Sequence, residues 1–423
     1  MHTLCFIIMI TIMIAIPRSS QAQSSGEATT VEQLQELRRE VEALQERLAS
    51  LESDVAIEQE MAAKTLIGGY IQTTFTDFEK QPSDFNIRRV ILFVGAEISR
   101  HFRFVSEIEF EFGGTPFKGE AFGSKEPGEV LLEQAYLDWL IHPAINFRGG
   151  VVLVPVGAFN THHDPPEREL SERPLVDLFI IPTTWFEVGV GLHGAFAVGD
   201  QLEMNYEAYV INGLDDNIVD GFGLRQARGS LGAPGDNNDN KAIVGRIGLL
   251  PSNIGWLPLN GLDIGLSGYY GLYDDDDDRA VRLLAIDITY KAGPFTFLFE
   301  AARADIDAGL SNRIVNGAPV PVPTQMEGFY AQVNYRFWPA FLNNTFLARD
   351  DPSFNLALRY DEIDTDDDRT TAGGDRRRLM VGFNFRPLPE TVLKFEWLFD
   401  MDDRDNPENL PESGFVFEFS SYF

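Results

Sequence analysis

From Lys64 to Phe423 the chain reads as sixteen short segments in which apolar and polar residues alternate, and no helical period persists there. Alternation sends successive side chains to opposite faces, so each segment makes a strand with one apolar and one polar side. The segments are 66–78, 86–98, 103–112, 130–141, 145–155, 187–198, 202–212, 241–250, 262–273, 280–291, 295–304, 325–337, 353–361, 376–386, 391–400 and 413–423. Ser99 to Phe102, His142 to Ala144, Gly199 to Gln201, Ala292 to Pro294 and Pro387 to Glu390 are tight connections. Those between them are mostly longer, and the largest runs from Val156 to Phe186. An even set of strands near 9 to 11 residues, joined alternately by short turns and long loops, predicts an all-β transmembrane barrel of about sixteen antiparallel strands.

Alternation also assigns the faces. Phe104, Ile108, Phe110 and Phe112 share one parity, and Glu107, Glu109 and Glu111 share the other. In a membrane barrel the first set faces lipid and the second a wet lumen. Phe295, Phe297 and Phe299 repeat the outward pattern, as do Phe383 and Phe385, while Trp139, Trp185 and Trp397 fall near strand ends, where an aromatic girdle is expected. The chain ends on Phe415, Phe417, Phe419 and Phe423 at one parity. This ending resembles the C-terminal strand of bacterial outer-membrane barrels, whose terminal aromatic is read by the barrel-assembly machinery.

Two segments precede the barrel. Leu4 to Ile16 is apolar except for Thr11 and is followed by Pro17, Ser20 and Ala22, which fits a secretory signal over 1–22. The run is shorter than the ~20 residues a spanning helix needs. The one cysteine, Cys5, lies within it, so the exported chain is expected to contain no disulfide. In 23–63, Leu34, Leu37, Val41, Leu44, Leu48, Leu51 and Val55 recur at alternating intervals of three and four, the seam of a coiled coil. Thr30 and Gln33 supply a capping box. Such a helix is expected in the periplasm.

The net charge is −31, from 34 Lys plus Arg against 65 Asp plus Glu. Nucleic-acid binding needs clustered positive charge and is excluded on that ground. The eight longer connections hold 35 acidic and 11 basic residues, so most of the excess lies on a predicted extracellular rim, and the strands are nearly balanced. The Asp-rich runs Asp274 to Asp278 and Asp364 to Asp368 suit divalent bridging to lipopolysaccharide, while EF-hand spacing fails in Asp236-Asn238-Asn240 and Asp364-Asp366-Asp368, where Lys241 and Arg369 replace the required glycine.

The stretches Gly68-Gly69-Tyr70-Ile71-Gln72, Phe85-Asn86-Ile87-Arg88-Arg89-Val90, Glu133-Gln134-Ala135-Tyr136-Leu137-Asp138, Arg148-Gly149-Gly150 and Val154-Pro155-Val156-Gly157 resemble the phosphate-selective porin O/P family of Gram-negative outer-membrane channels. The likeness spans residues 64 to 423. It implies a sixteen-stranded homotrimeric porin whose third extracellular loop folds inward and narrows the pore. Such porins often carry a basic residue where this chain has Leu153, and the loop around His162 differs from their usual pattern, so phosphate selectivity is not carried over.

The expected constriction residues on the 156–186 loop are His162, His163, Asp164, Glu167, Arg168, Glu169, Glu172 and Arg173. Adjacent His162, His163 and Asp164 rarely converge on one ion and no H-E-x-x-H spacing occurs, so no metal site is assigned. Expected pore-lining residues are Arg89, Glu107, Glu109 and Glu111 on one wall, with Arg359, Arg378 and Arg386 on another, giving a transverse field across the lumen. No nucleophile motif, P-loop or CxxC pair appears, so neither enzyme nor cofactor is expected. The resulting expectation is passive diffusion of small hydrophilic solutes. A plugged structural barrel with a coiled-coil tether is the alternative.

Overall fold

A computed structural model describes residues 38–45, 47–48, 65–112, 128–218, 223–228, 239–252, 258–315, 318–348, 350–366, 374–401 and 413–423. The signal segment lies outside these residues, as does most of the heptad region. Within the latter, 38–45 and 47–48 are helical, with Val41, Leu44 and Leu48 exposed. Contacts divide the chain into two units, Met1–Ala63 and Lys64–Phe423.

The second unit begins with β1 (Thr65–Phe78), β2 (Asp84–Ser99), β3 (Phe102–Glu111), β4 (Val130–His142) and β5 (Ile145–Leu153). Two helical turns follow, α1 (Ala158–Thr161) and α2 (Leu175–Phe179). Next come β6 (Phe186–Val198), β7 (Leu202–Ile211), β8 (Ala242–Pro251), β9 (Leu262–Leu272), β10 (Ala280–Ala292) and β11 (Phe295–Ile306). The rest are β12 (Leu310–Val315), β13 (Ala318–Pro321), β14 (Gln325–Phe337), β15 (Ser353–Asp364), β16 (Asp375–Leu388), β17 (Thr391–Asp400) and β18 (Gly414–Tyr422). All except β12 and β13 form one closed antiparallel barrel of sixteen strands, with β18 closing onto β1.

Each of the sixteen expected segments is a barrel strand. The differences lie at the edges. The 305–324 connection, read as loop, contains the β12–β13 hairpin. β15 runs three residues past the expected end because β14 keeps pairing with it as far as Glu327–Asp364, which adds residues 362–364 to the wall. Trp185 is a correction. It is fully buried with its ring 5.0 Å from Tyr269, because the connection carrying it turns into the barrel; Trp139 and Trp397 stay outside.

Ile67, Val130, Leu284, Phe295, Phe297 and Trp397 are all more than 40% exposed on the outer face. An apolar surface that continuous is what lipid covers and water does not. Among the described residues no helix is long and apolar enough to cross a membrane. Closure leaves no strand edge unpaired, which a hydrocarbon environment requires. At the closing seam Phe423 N–H donates to the Gly69 carbonyl at 3.0 Å and Gly69 N–H donates to the Phe423 carbonyl at 3.3 Å. A Cβ on Gly69 would overlap the Ile91 carbonyl of β2. Gly69→Val should therefore lower the yield of closed barrel, seen as loss of the heat-modifiable fast-migrating band, whereas Gly95→Ala, whose Cβ has ordinary clearance, should leave it unchanged.

Candidate functional site

The connection after β5 turns inward through a neck tied by its own polar groups. Val154 N–H donates to the Trp185 carbonyl at 2.9 Å. Buried Asn160 donates from Nδ2 to the carbonyls of Val154 and Trp185 at 2.8 and 2.9 Å, and its Oδ1 accepts the Trp185 N–H at 2.8 Å. Gly157 makes the turn with φ 70°, where a Cβ would overlap the Glu300 carboxylate. Its N–H donates to Ser267 Oγ of β9 at 3.0 Å, and the N–H groups of Ala158 and Phe159 donate to Glu300 of β11 at 3.1 and 3.2 Å.

Beyond α1 the loop has irregular backbone, and side chains of the wall supply its hydrogen bonds. Lys394 Nζ of β17 donates to the Pro165 carbonyl at 2.9 Å, and Arg386 of β16 donates to Pro166 at 2.7 Å and to the Glu169 carboxylate at 3.1 Å. Asn384 donates to the Glu169 carbonyl at 2.8 Å, while Glu396 accepts the Ser171 N–H at 2.8 Å. Arg359 of β15 donates to the carbonyls of Glu172 and Arg173 at 3.0 and 3.2 Å and pairs with Asp361 at 2.9 Å. Asp361 in turn accepts the Leu175 N–H at 3.1 Å. Arg88 of β2 also pairs with Glu172 at 2.7 Å. The other flank is apolar: Leu175, Val176, Phe179, Ile180, Ile181 and Trp185 join Tyr209, Val244, Leu283, Met326 and Tyr330 in one buried cluster.

The sequence-selected residues divide accordingly. Arg359, Arg378 and Arg386 point inward but are at most 8% exposed, covered by the loop. Glu107 and Glu109 are similarly buried, and Arg89 lies between Glu109 at 3.2 Å and Glu111 at 3.9 Å. On the loop, His163 and Glu172 are buried, His162 and Glu167 exposed, and Asp164, Arg168, Glu169 and Arg173 intermediate. Phe415, Phe417 and Phe419 share the outward face of β18. The sequence reading missed Arg88, Glu133, Glu300, Asp361, Lys394 and Glu396. Arg88 and Glu133 are the extra residues of β-bulges, where Gln72–Arg89 pairing shifts to Thr73–Ile87 and Glu107–Gln134 shifts to Ile108–Leu132. A bulge breaks the period of two and re-aims a side chain.

No family model matches the chain. It is 27% identical over 362 residues to an uncharacterized protein of Aquifex aeolicus (strain VF5), covering 81% of this chain and 77% of that one. Among solved structures, OmpF of Salmonella typhi in complex with daunomycin superposes with TM-score 0.53 at 8% identity, over 85% of this chain and 97% of that one. The trimer form of OmpT, an outer membrane protein of Vibrio cholerae, gives 0.50 at 9% identity over 85% and 99%. The class so defined is the closed sixteen-stranded barrel of the outer-membrane porin type. At such identities the likeness carries the fold alone.

Charge on the loop is tuned by its surroundings. Burial opposes ionisation of Glu172, but Arg88, with Arg378 and Arg168 nearby, outweighs it and holds the carboxyl at about 2. Burial brings Arg168 down to about 10 and, with Arg89 and Arg168 adding repulsion, Arg173 to about 9, so both are cations at neutral pH. Burial and the Glu300 carboxyl push Asp177 well above the usual carboxylate range. Because the Glu172 value is depressed on docking, its contribution is fully present above its ordinary value of 4.5 and is lost as pH falls towards about 2. Amide protection over residues 168–175, corrected for intrinsic exchange, should fall across that window. In Glu172→Gln it should be low throughout and show no such transition.

Proposed function

We propose that the protein is an outer-membrane channel for passive diffusion of small hydrophilic solutes and ions, narrowed by the 156–186 loop and selecting for anions at that point. The observation that carries this reading is the basic cluster where the loop faces β2. Arg88, Arg168 and Arg173 are partly exposed there, with Arg378 behind them, around Glu172. The acidic rim raises cation concentration only within a Debye length of about 8 Å, so it does not determine what the narrowest point prefers. The transverse field belongs to this reading in modified form: the Glu107 and Glu109 wall also carries Arg88 and Arg89. The phosphate-selective porin resemblance is kept for architecture, without its solute.

A second reading has a specific observation in its favour. The loop is bonded to β2, β9, β11 and β15 to β17 at once, as a plug would be. In that case the heptad helix serves as a spacer or tether. In either reading the helix and the barrel suit a homotrimer, inserted by the barrel-assembly machinery among outer-membrane lipid and lipopolysaccharide.

Planar-bilayer recording of the purified protein separates the two. Discrete conductance steps with an anion-selective reversal potential in a salt gradient are expected, and persistent silence would favour the plug. A unit charge 4 Å away in water is worth about 1 kcal/mol, so Arg88→Glu and Arg173→Glu should each lower the anion-to-cation permeability ratio by roughly fivefold to thirtyfold. An unchanged ratio in both would remove the basic cluster from selection.

A further inference from the structure

We infer that Glu107, Glu133, His163 and Asp164 form a binding site for one divalent transition-metal cation of the zinc or manganese kind, tying the inward loop to the barrel wall. The site holds whether or not the barrel conducts. A ligand atom from each of Glu107, His163 and Asp164 lies within 4.8 Å of the others. Bonds of ~2.0–2.2 Å to a shared tetrahedral ion place ligand atoms ~3.4 Å apart, so a pair at the 4.8 Å limit would close by up to about 1.4 Å.

The hydrogen-bond geometry turns the ligand atoms towards one another. His163 is 2% exposed, and its Nδ1 lies 3.0 Å from the Asn160 carbonyl, which can only accept, so Nδ1 carries the hydrogen. Nε2 then faces the Glu133 carboxylate at 3.4 Å. A lone pair turned towards a carboxylate needs either a proton or a metal ion between them. Glu107 is 2% exposed; its Oε2 accepts from Gln134 at 2.6 Å, while buried Oε1 has no hydrogen-bond donor. Glu133 is 1% exposed and stands beside both Glu107 and Glu109. The nearby cation, Arg89, is shared between Glu109 and Glu111. Carboxylates of Glu107, Glu133 and Asp164 therefore gather around one imidazole.

Three of the four ligands are also oriented from behind. The Asn160 carbonyl fixes the His163 tautomer, Gln134 holds Glu107, and the Tyr422 hydroxyl donates to Asp164 Oδ2 at 2.7 Å. Metal sites are built with this kind of outer support. Glu133 reaches the site because it is the extra residue of the β4 bulge. Imidazole with carboxylates suits zinc, manganese or ferrous iron; calcium and magnesium prefer oxygen alone, and the absence of a thiolate disfavours copper(I).

The test uses the full chain, purified in detergent, stripped with chelator and dialysed against Zn²⁺, Mn²⁺ or Ca²⁺, with bound metal counted by mass spectrometry and affinity read by calorimetry. One Zn²⁺ or Mn²⁺ per chain is expected, with Ca²⁺ much weaker. Glu107→Gln and His163→Ala should each weaken binding by at least about 100-fold, and exposed His162→Ala should leave it unchanged. Heat-modifiable migration confirms folding of each variant, and isosteric Glu107→Gln keeps the test intact if His163→Ala does not fold. Substoichiometric binding by the wild type would overturn the proposal. Equal binding by wild type and Glu107→Gln would also overturn it and assign the ions to the acidic loops.

Discussion

A loop folded inside a barrel must find partners for every peptide group that it takes out of water. Regular strands solve this by pairing with neighbours, but residues 162–174 have no such ladder. Here the wall supplies the partners as side chains. Arg359, Arg386 and Lys394 cover carbonyls, while Glu300, Asp361 and Glu396 cover N–H groups. A charged group is the stronger partner for a lone amide or carbonyl, and its long side chain spans the gap between wall and loop. Much of the charge inside the barrel therefore holds the loop in place.

The same demand explains why wall and loop charges come in sets. Arg359 is not compensated by solvent; it has Asp361 at its side and two carbonyls ahead. Lys394, buried completely, reaches Glu418 at 2.8 Å as well as Pro165. A buried charge that loses its partner costs far more than the pair contributes, so these sets constrain one another. Arg88, Arg168 and Arg173 are among the charges left partly exposed.

Much of the barrel was legible because lipid on one side and a polar interior on the other impose a period of two on every strand. The strand set, the outward aromatics and the inward charges of β3, β15 and β16 follow from that alone. Reading failed where the period slips. At the bulges, Arg88 and Glu133 break alternation, and a single-residue insertion leaves no compositional mark. Trp185 misled for a related reason: a tryptophan beside a strand end looks the same whether its chain continues outward to the interface or turns inward at Gly157.

What this sequence determined by itself is therefore the wall: which segments are strands, which face is apolar, and where the excess acid lies. Those properties depend on neighbours one, two or four residues away, and such relations are written along the chain. Only the tertiary structure decided what the interior charges do. His163 meets Glu133 across 30 residues and Ser171 meets Glu396 across 225, brought together by closure of the barrel and the inward turn of one loop. No local pattern encodes these pairings, because they arise from the curvature of a sheet joined to itself.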